Sequence, residues 1–193
     1  MTDTKPAGSV RLVAGAELPA PGRWQIDPGH TEAAFIGRHF MLTKVRGRFT
    51  GVTGTIVVAD EPGESTVEVT IDMASVESGS QARDDHLRSA DFFDTARHPT
   101  AAFSGHAAHW QGTQGLLAGE LTIRGITRPV TLQVGYLGHV ADPWGGQRAI
   151  FTAHGILNRE DWGLTWNMPL DSGGLLVSKD IGIEIEAEAV LQS

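Results

Sequence analysis

Apolar and polar residues alternate with a period of two along much of the chain, and this pattern constrains the fold more than any other feature. In the segment 181–189, five apolar residues alternate with one glycine and three glutamates. The same alternation runs through 67–72 and 117–124, and it returns at 130–134 after a short turn. A period of two is typical of a β-strand with one buried face. The last two segments therefore predict an antiparallel hairpin.

The strand count predicts the architecture. Further strands are predicted at 31–40, 49–59, 101–109 and 149–157. A loop is predicted at 137–148, and helix-forming residues behind Ser80, a candidate N-cap, predict one short helix over 80–89. About eight antiparallel strands, each with one apolar face, would close into a barrel or stack as a sandwich. We therefore predict an all-β fold with one short helix.

Length and composition limit the domain organisation and the class of partner. A chain of 193 residues argues for one domain. Residues 1–22 are rich in Ala, Gly and Pro without a sustained period, so we predict a flexible N-terminal extension before a barrel domain at 23–193. A net charge of −8 argues against nucleic acid as a partner. The absence of cysteine excludes disulfides, a thiol nucleophile and a cysteine-bound metal.

The hydropathy pattern bears on location. The apolar stretch 12–16 is too short for a signal peptide. No apolar run approaches the roughly 18 residues that a membrane-spanning helix needs. We therefore expect a soluble, cytoplasmic protein without stable insertion into a membrane.

Strand parity decides which side chains face the interior. Small residues recur among the inward candidates, namely Ala33, Gly37, Gly119, Ala187 and Ala189. Small inward residues predict either tight backbone packing or an apolar cavity that holds a ligand, and periodicity does not choose between them. His39 shares the apolar face of its strand. It is either a satisfied core side chain or a contact to a polar head group.

Motifs for enzymatic chemistry are missing from the sequence, which has no Gly-x-Gly-x-x-Gly, P-loop, His-Glu-x-x-His or Gly-x-Ser-x-Gly. His106 and His109 are three residues apart and would lie on opposite faces of a strand, so we predict no metal site. The polar cluster at 83–86 is interpreted as a helix surface with local ion pairs. The polar turn 158–163 is interpreted as a strand connection in which Asp161 bonds backbone amides and the next residue covers a barrel end. We expect no catalysis and no cofactor.

Separate short blocks form a series along the chain. They are Trp24-x-Ile26-Asp27-Pro28-x-His30-Thr31, Val45-Arg46-Gly47-x-Phe49, Ser75-Val76-x-Ser78-Gly79, Arg83-Asp84-x-His86-Leu87, Asp91-Phe92-Phe93-Asp94, Gly119-x-Leu121-Thr122-Ile123-Arg124-Gly125-Ile126-Thr127, Arg159-x-Asp161-Trp162-Gly163-Leu164 and Val177-Ser178-x-Asp180. In this order, over residues 24–190, the blocks resemble the YceI-like family. Two positions depart from the family pattern, since Thr31 stands where serine is usual and Trp162 where phenylalanine is common.

The resemblance implies a fold and a function. It implies an eight-stranded antiparallel lipocalin-like barrel with a long apolar pore, and it favours a ligand cavity over a filled interior. Family members hold isoprenoid-type lipids, which are polyprenyl phosphates, the tails of isoprenoid quinones or other long-chain amphiphiles. Many are periplasmic and dimers are common, so the resemblance also implies a homodimer. The expected function is non-catalytic binding, storage or transport of an isoprenoid or fatty-acid-like lipid.

The site residues follow from the alternation and the resemblance together. The expected pore lining consists of Phe35, Phe49, Val69, Ile71, Phe103, Leu121, Ile123, Leu132, Phe151, Ile183 and Ile185. Four further aromatic residues are expected at the mouth or in covering turns, namely Phe92, Phe93, Trp162 and Trp166. A polar head group would lie near His39 or near an arginine at the rim.

Two other functions stay open. One is a filled barrel that binds a protein partner. The other is a lipid-modifying enzyme that uses Arg83, Asp84 and His86, which requires this cluster to face the pore.

Overall fold

The computed structural model describes residues 10–171 and 174–192. Within these ranges the strands are β1 (Val10–Val13), β2 (Ala16–Pro19), β3 (Gly22–Ile26), β4 (Glu32–His39), β5 (Thr43–Phe49), β6 (Val52–Val58), β7 (Thr66–Asp72), β8 (Val76–Glu77), β9 (Thr100–Gln111), β10 (Gln114–Ile123), β11 (Ile126–Ala141), β12 (Gln147–Asn158) and β13 (Asp180–Leu191). The described part of the chain has one α-helix, α1 (Gln81–Arg88), which matches the predicted helix. None of the described helices is long and apolar enough to cross a membrane.

Strand β13 closes the sheet into a barrel. One edge of β13 pairs with β12 along nearly its whole length. The other edge pairs first with β4 and then, nearer the C-terminus, with β3. Because β3 and β4 share that edge, they act as one interrupted strand of the barrel. Strand β6 pairs with β3 and β5 pairs with β4, so β6 and β5 form the next interrupted strand. The result is the predicted eight-stranded closed antiparallel barrel, in which the ring leaves no long strand edge unpaired.

Strand β11 is longer than the sequence pattern predicts. The predicted loop at 137–148 is wrong over its first part, because β11 continues to Ala141 and pairs there with β12. The register shifts between Tyr136 and Gly138. A bulge of this kind changes the face on which the following residues lie, so the period of two is interrupted although the strand continues.

The N-terminal segment contains a hairpin that the sequence analysis did not predict. Strands β1 and β2 pair with each other around Ala14 and Gly15, both with positive φ, which suits the twist of a two-residue hairpin turn. The buried side chain of Leu18 packs against Trp24 and other residues at one end of the barrel. The buried residues of this segment, Leu18, Pro19 and Ala20, are consecutive and produce no period of two, so the sequence pattern does not predict a strand here. The rest of the predicted extension, residues 1–9, lies outside the described residues.

Two different covers close the two ends of the barrel. At the hairpin end, a cluster around Trp24 includes Trp110, from the C-terminal end of β9. At the opposite end, Leu87 of α1 and Phe93, which follows the helix, pack near Ala101 at the N-terminal end of β9. Arg88 attaches α1 to the barrel, since its guanidinium donates hydrogen bonds to the carbonyls of residues 74 and 76. We call these the hairpin end and the helix end.

Tyr136 belongs to the cluster at the hairpin end and is buried there. Among the described residues, its hydroxyl has no hydrogen-bond partner. Burial, with a smaller contribution from the carboxylate of Glu17, raises the pKa of Tyr136 to about 12 from its usual 10.0. The folded protein therefore holds this hydroxyl in its neutral form well into the alkaline range.

The substitution Tyr136→Phe is expected to leave stability at neutral pH unchanged or to raise it by up to about 2 kcal/mol, because it removes a buried unpaired hydroxyl. In the original protein the unfolded state loses the tyrosine proton first as the pH rises, so stability declines between about pH 10 and pH 12. The variant should lack this part of the decline. Urea denaturation of both proteins across the alkaline range measures the difference. A variant that loses stability at neutral pH would show that the hydroxyl makes a favourable bond.

Candidate ligand cavity

The barrel encloses a cavity of about 310 Å³. Its wall runs from Leu18 and Trp110 at the hairpin end to Leu87 and Phe93 at the helix end. The lining side chains are almost all aliphatic or aromatic. The volume is far larger than a single water molecule needs, and a site with few polar partners holds water poorly. Such a cavity suits an apolar ligand or the apolar part of an amphiphile.

The small inward residues show why this interior is hollow in some places and tightly packed in others. Ala33 and Ala187 line the cavity, where larger side chains would occupy its volume. Gly119 has a different role. A Cβ atom there would lie 2.2 Å from the carbonyl oxygen of Ser104 and 2.8 Å from the ring of Phe103. This glycine therefore permits close packing of neighbouring strands, so small inward residues serve tight packing at Gly119 and leave space for a cavity at Ala33 and Ala187.

All of the predicted lining residues lie on the cavity wall, namely Phe35, Phe49, Val69, Ile71, Phe103, Leu121, Ile123, Leu132, Phe151, Ile183 and Ile185. Three aromatic residues that were expected at the mouth or in covering turns, Phe92, Phe93 and Trp162, also lie on the wall. That these side chains contact a ligand stays a prediction. The agreement on their placement has a simple cause, since strand parity in a closed barrel assigns alternate residues to the inside.

His39 and Trp166 do not line the cavity. His39 forms a bridge with Val177, and its ring centroid lies 4.0 Å from that of Phe40. The pairing of β4 with β13 ends at Ile36, so the end of β4 extends beyond the barrel wall and parity no longer directs its side chains inward. Trp166 lies in a covering segment at the helix end, with its ring centroid 5.3 Å from that of Phe92.

The polar turn after β12 contributes a residue that the sequence analysis did not select. Asn158, rather than Asp161, accepts the hydrogen bond that begins this turn, from the amide of Glu160. Trp162 covers the barrel end as predicted, and its Nε1 donates to the carbonyl of Leu121 at 2.9 Å. Between them, Arg159 is buried and lies on the cavity wall.

A usable signal for Arg159 was present in the sequence. The inward parity of β12 runs through Ala153 and Leu157, which both line the cavity. Arg159 lies two residues after Leu157, so the same alternation places it on the inward face. The polar composition of 158–163 instead predicts a strand connection, and composition does not identify Arg159 as an inward residue.

The cluster considered for catalysis lies outside the cavity. Arg83 donates through Nε to the hydroxyl of Ser78 at 2.8 Å, and the carboxylate of Asp84 accepts a hydrogen bond from the same hydroxyl. His86 pairs with Asp91 at 2.9 Å. The described cavity wall includes none of Arg83, Asp84 and His86. The condition that the enzymatic alternative required, a cluster facing the pore, is therefore not met.

A second cluster joins Asp27, His30 and Glu188, whose side-chain ligand atoms lie within 4.8 Å of one another. The guanidinium of Arg148 lies among them, with Nη1 2.6 Å from Asp27 and 2.5 Å from Glu188. Hydrogen bonds from Arg148 hold the pKa of Asp27 below its usual value, although partial burial opposes this shift. Since Arg148 already pairs with both of these carboxylates, and with Asp142 as well, the contacts form an ion-pair network that ties β12 to β13.

Comparison with known proteins places this architecture in a family. The YceI-like domain model matches residues 24–189. The YceI protein of Escherichia coli O157:H7 is 34% identical over 185 residues, which cover 95% of this chain and 94% of that protein.

Two solved structures share the fold. BcnA of Burkholderia cenocepacia has a TM-score of 0.73 at 20% identity, covering 84% of this chain and 98% of BcnA. A polyisoprenoid binding domain from Saccharophagus degradans has a TM-score of 0.65 at 16% identity, covering 88% of this chain and 98% of that domain. The family match extends from β3 to β13 and so includes every strand of the closed barrel. The chain therefore belongs to the YceI-like domain family.

Proposed function

We propose that this protein binds a long-chain amphiphilic lipid of the isoprenoid type in the barrel cavity, for storage or transport and without catalysis. The observation that carries the proposal is the cavity of about 310 Å³ with its nearly continuous apolar lining. A closed barrel with an apolar interior excludes water from a bound hydrocarbon chain. The head group would remain at one end.

The hydrophobic effect provides enough free energy for tight retention. Burial of a methylene group contributes about 0.8 kcal/mol, so a chain with twenty buried carbons would gain roughly 16 kcal/mol before costs. Loss of translational and conformational freedom subtracts about 4–15 kcal/mol from that value. Over the lower part of that range, the remainder supports retention of a lipid through purification.

The choice of ligand class has support from one structural neighbour. The domain from Saccharophagus degradans is described as polyisoprenoid binding. This makes polyprenyl phosphates and the tails of isoprenoid quinones the first ligands to test. Fatty-acid-like lipids share the same apolar chain chemistry and form the second group.

The direct test is extraction of the purified protein. Denaturation followed by organic extraction and mass spectrometry is expected to release a long-chain lipid in stoichiometric amount. An empty extract, together with no uptake of an added polyprenol or quinone, would contradict the proposal. That result would favour the alternative of a filled barrel that binds a protein partner. The homodimer and the cytoplasmic location stay predictions, and light scattering of the purified protein tests the first of them.

A further inference from the structure

Arg159 is a charged side chain in the interior, with only 5% of the residue exposed. Its Nε donates to the carbonyl of Ser178 at 2.9 Å, and its Nη1 donates to the carbonyl of Leu164. Its Nη2 is buried and has no hydrogen-bond partner among the described residues. A guanidinium presents five N–H donors in a planar fork, so the hydrogen bonding of this side chain is incomplete.

The charge of Arg159 is also uncompensated. Within the described residues, 10–171 and 174–192, no ion pair includes this guanidinium. The neighbouring acid Glu160 pairs instead with Lys179 at 2.9 Å. Backbone carbonyls accept hydrogen bonds, but they do not neutralise a full charge, and a buried charge without a counter-ion is costly. Burial accordingly lowers the pKa of Arg159, while the nearby Glu160 carboxylate opposes the shift.

The side chain of Arg159 adjoins the cavity, with its unpartnered Nη2 buried behind a lining whose surface is almost entirely apolar. The residue lies on the wall at the helix end, together with Leu164, Leu87 and Phe92. Arg11 lies on the wall at the hairpin end. Arg11 donates to the carbonyls of residues 59 and 60, each at 2.5 Å, and its Nε is also buried without a partner among the described residues. Arg11 is only partly buried, whereas Arg159 is 5% exposed, so the charge of Arg159 is the more costly of the two to leave without an anion.

We propose that Arg159 binds the head group of the lipid, and that this head group is an anion, either a carboxylate or a phosphate. An anionic oxygen that displaces part of the apolar lining would accept from the unpartnered Nη2 and would also neutralise the buried charge, whereas a neutral alcohol or carbonyl would satisfy only the hydrogen bond. This inference rests on the proposed function, because it requires an amphiphile whose chain lies in the cavity. Binding to Arg159 would orient the ligand with its head group at the helix end and its tail toward the hairpin end.

The test uses three ligands with the same geranylgeranyl chain and different head groups, namely the alcohol, the carboxylic acid and the monophosphate. Their affinities for the full-length, delipidated protein are measured by isothermal titration. We expect at least one anion to bind roughly tenfold to a hundredfold more tightly than the alcohol, as a charge-assisted hydrogen bond would give. The ranking of the acid and the phosphate distinguishes a fatty-acid-like from a polyprenyl phosphate ligand.

Variants assign this preference to a residue. Arg159→Gln should bind the preferred anion no more tightly than the alcohol, so the substitution should cost the anion far more affinity than it costs the alcohol. Arg159→Lys keeps the charge but loses the planar fork, so it should retain part of the preference, and it provides the test if the glutamine variant does not fold. Arg128→Gln, at an exposed arginine in β11, is the matched control and should behave as the original protein.

Three results would overturn the inference. One is equal affinity of the original protein for alcohol and anions, which leaves the proposed function intact. Another is loss of the anion preference in Arg11→Gln rather than in Arg159→Gln, which would place the head group at the hairpin end. The third is an equal loss of affinity for all ligands in Arg159→Gln and Arg159→Lys, which would indicate a structural role. Failure of all three ligands to bind the original protein would instead contradict the proposed function.

Discussion

Replacing Ala153 by tryptophan is expected to reduce lipid affinity by about a thousandfold while the barrel remains folded. Ala153 lies in β12 with its side chain on the cavity wall, near Leu132 and Trp162. An indole at this position would occupy the middle of the cavity. If it excluded five methylene groups of the ligand, the loss would be about 4 kcal/mol, which corresponds to about three powers of ten in the dissociation constant.

The matched control for this variant lies on the same strand. Ile156 is 74% exposed on the outer face of the barrel. Ile156→Trp introduces the same side chain without entering the cavity, so its lipid affinity should equal that of the original protein. Titration with a fluorescent long-chain lipid measures all three proteins, and circular dichroism verifies their folding. Unchanged affinity in a folded Ala153→Trp variant would show that the ligand does not occupy this part of the barrel.

The largest expected effect on stability comes from Trp24→Ala, with a loss of about 3–5 kcal/mol in the free energy of unfolding. Trp24 is 0% exposed and lies at the centre of the cluster at the hairpin end. Its Nε1 donates to the carbonyl of Ala20 at 3.1 Å. The substitution therefore leaves a cavity in the core and removes the partner of a buried carbonyl. It also removes the surface on which Leu18 holds the N-terminal hairpin.

Another tryptophan provides the control. Trp144 is 87% exposed in the loop between β11 and β12. Trp144→Ala should change the free energy of unfolding by no more than about 0.5 kcal/mol, as is usual for surface substitutions. Urea denaturation of both variants measures the difference between them. Equal losses in the two variants would contradict the assignment of Trp24 to the core of this barrel end.

The outcomes for individual residues show how far local pattern extends. Phe103 and Ile185 were predicted on the cavity wall and lie there, because strand parity is a local property that a closed barrel preserves. His39 was predicted on the same inward face, yet it lies outside the cavity because β4 extends past its last pairing with β13. Parity predicts the face of a strand, and the partner strand decides whether that face lines an interior.

What the sequence determined by itself is the part of the structure that depends on neighbours a few residues apart. This part includes most strands of the barrel, helix α1 and most of the inward faces. The tertiary structure decided what depends on residues far apart in the chain. Strand β13 closes the barrel by pairing with β3 and β4, more than 140 positions away. Leu18 anchors the hairpin through contact with Tyr136 and its neighbours. The incomplete hydrogen bonding of Arg159 is visible only once the carbonyls of Leu164 and Ser178 are in place, because an unsatisfied group is defined by everything that surrounds it.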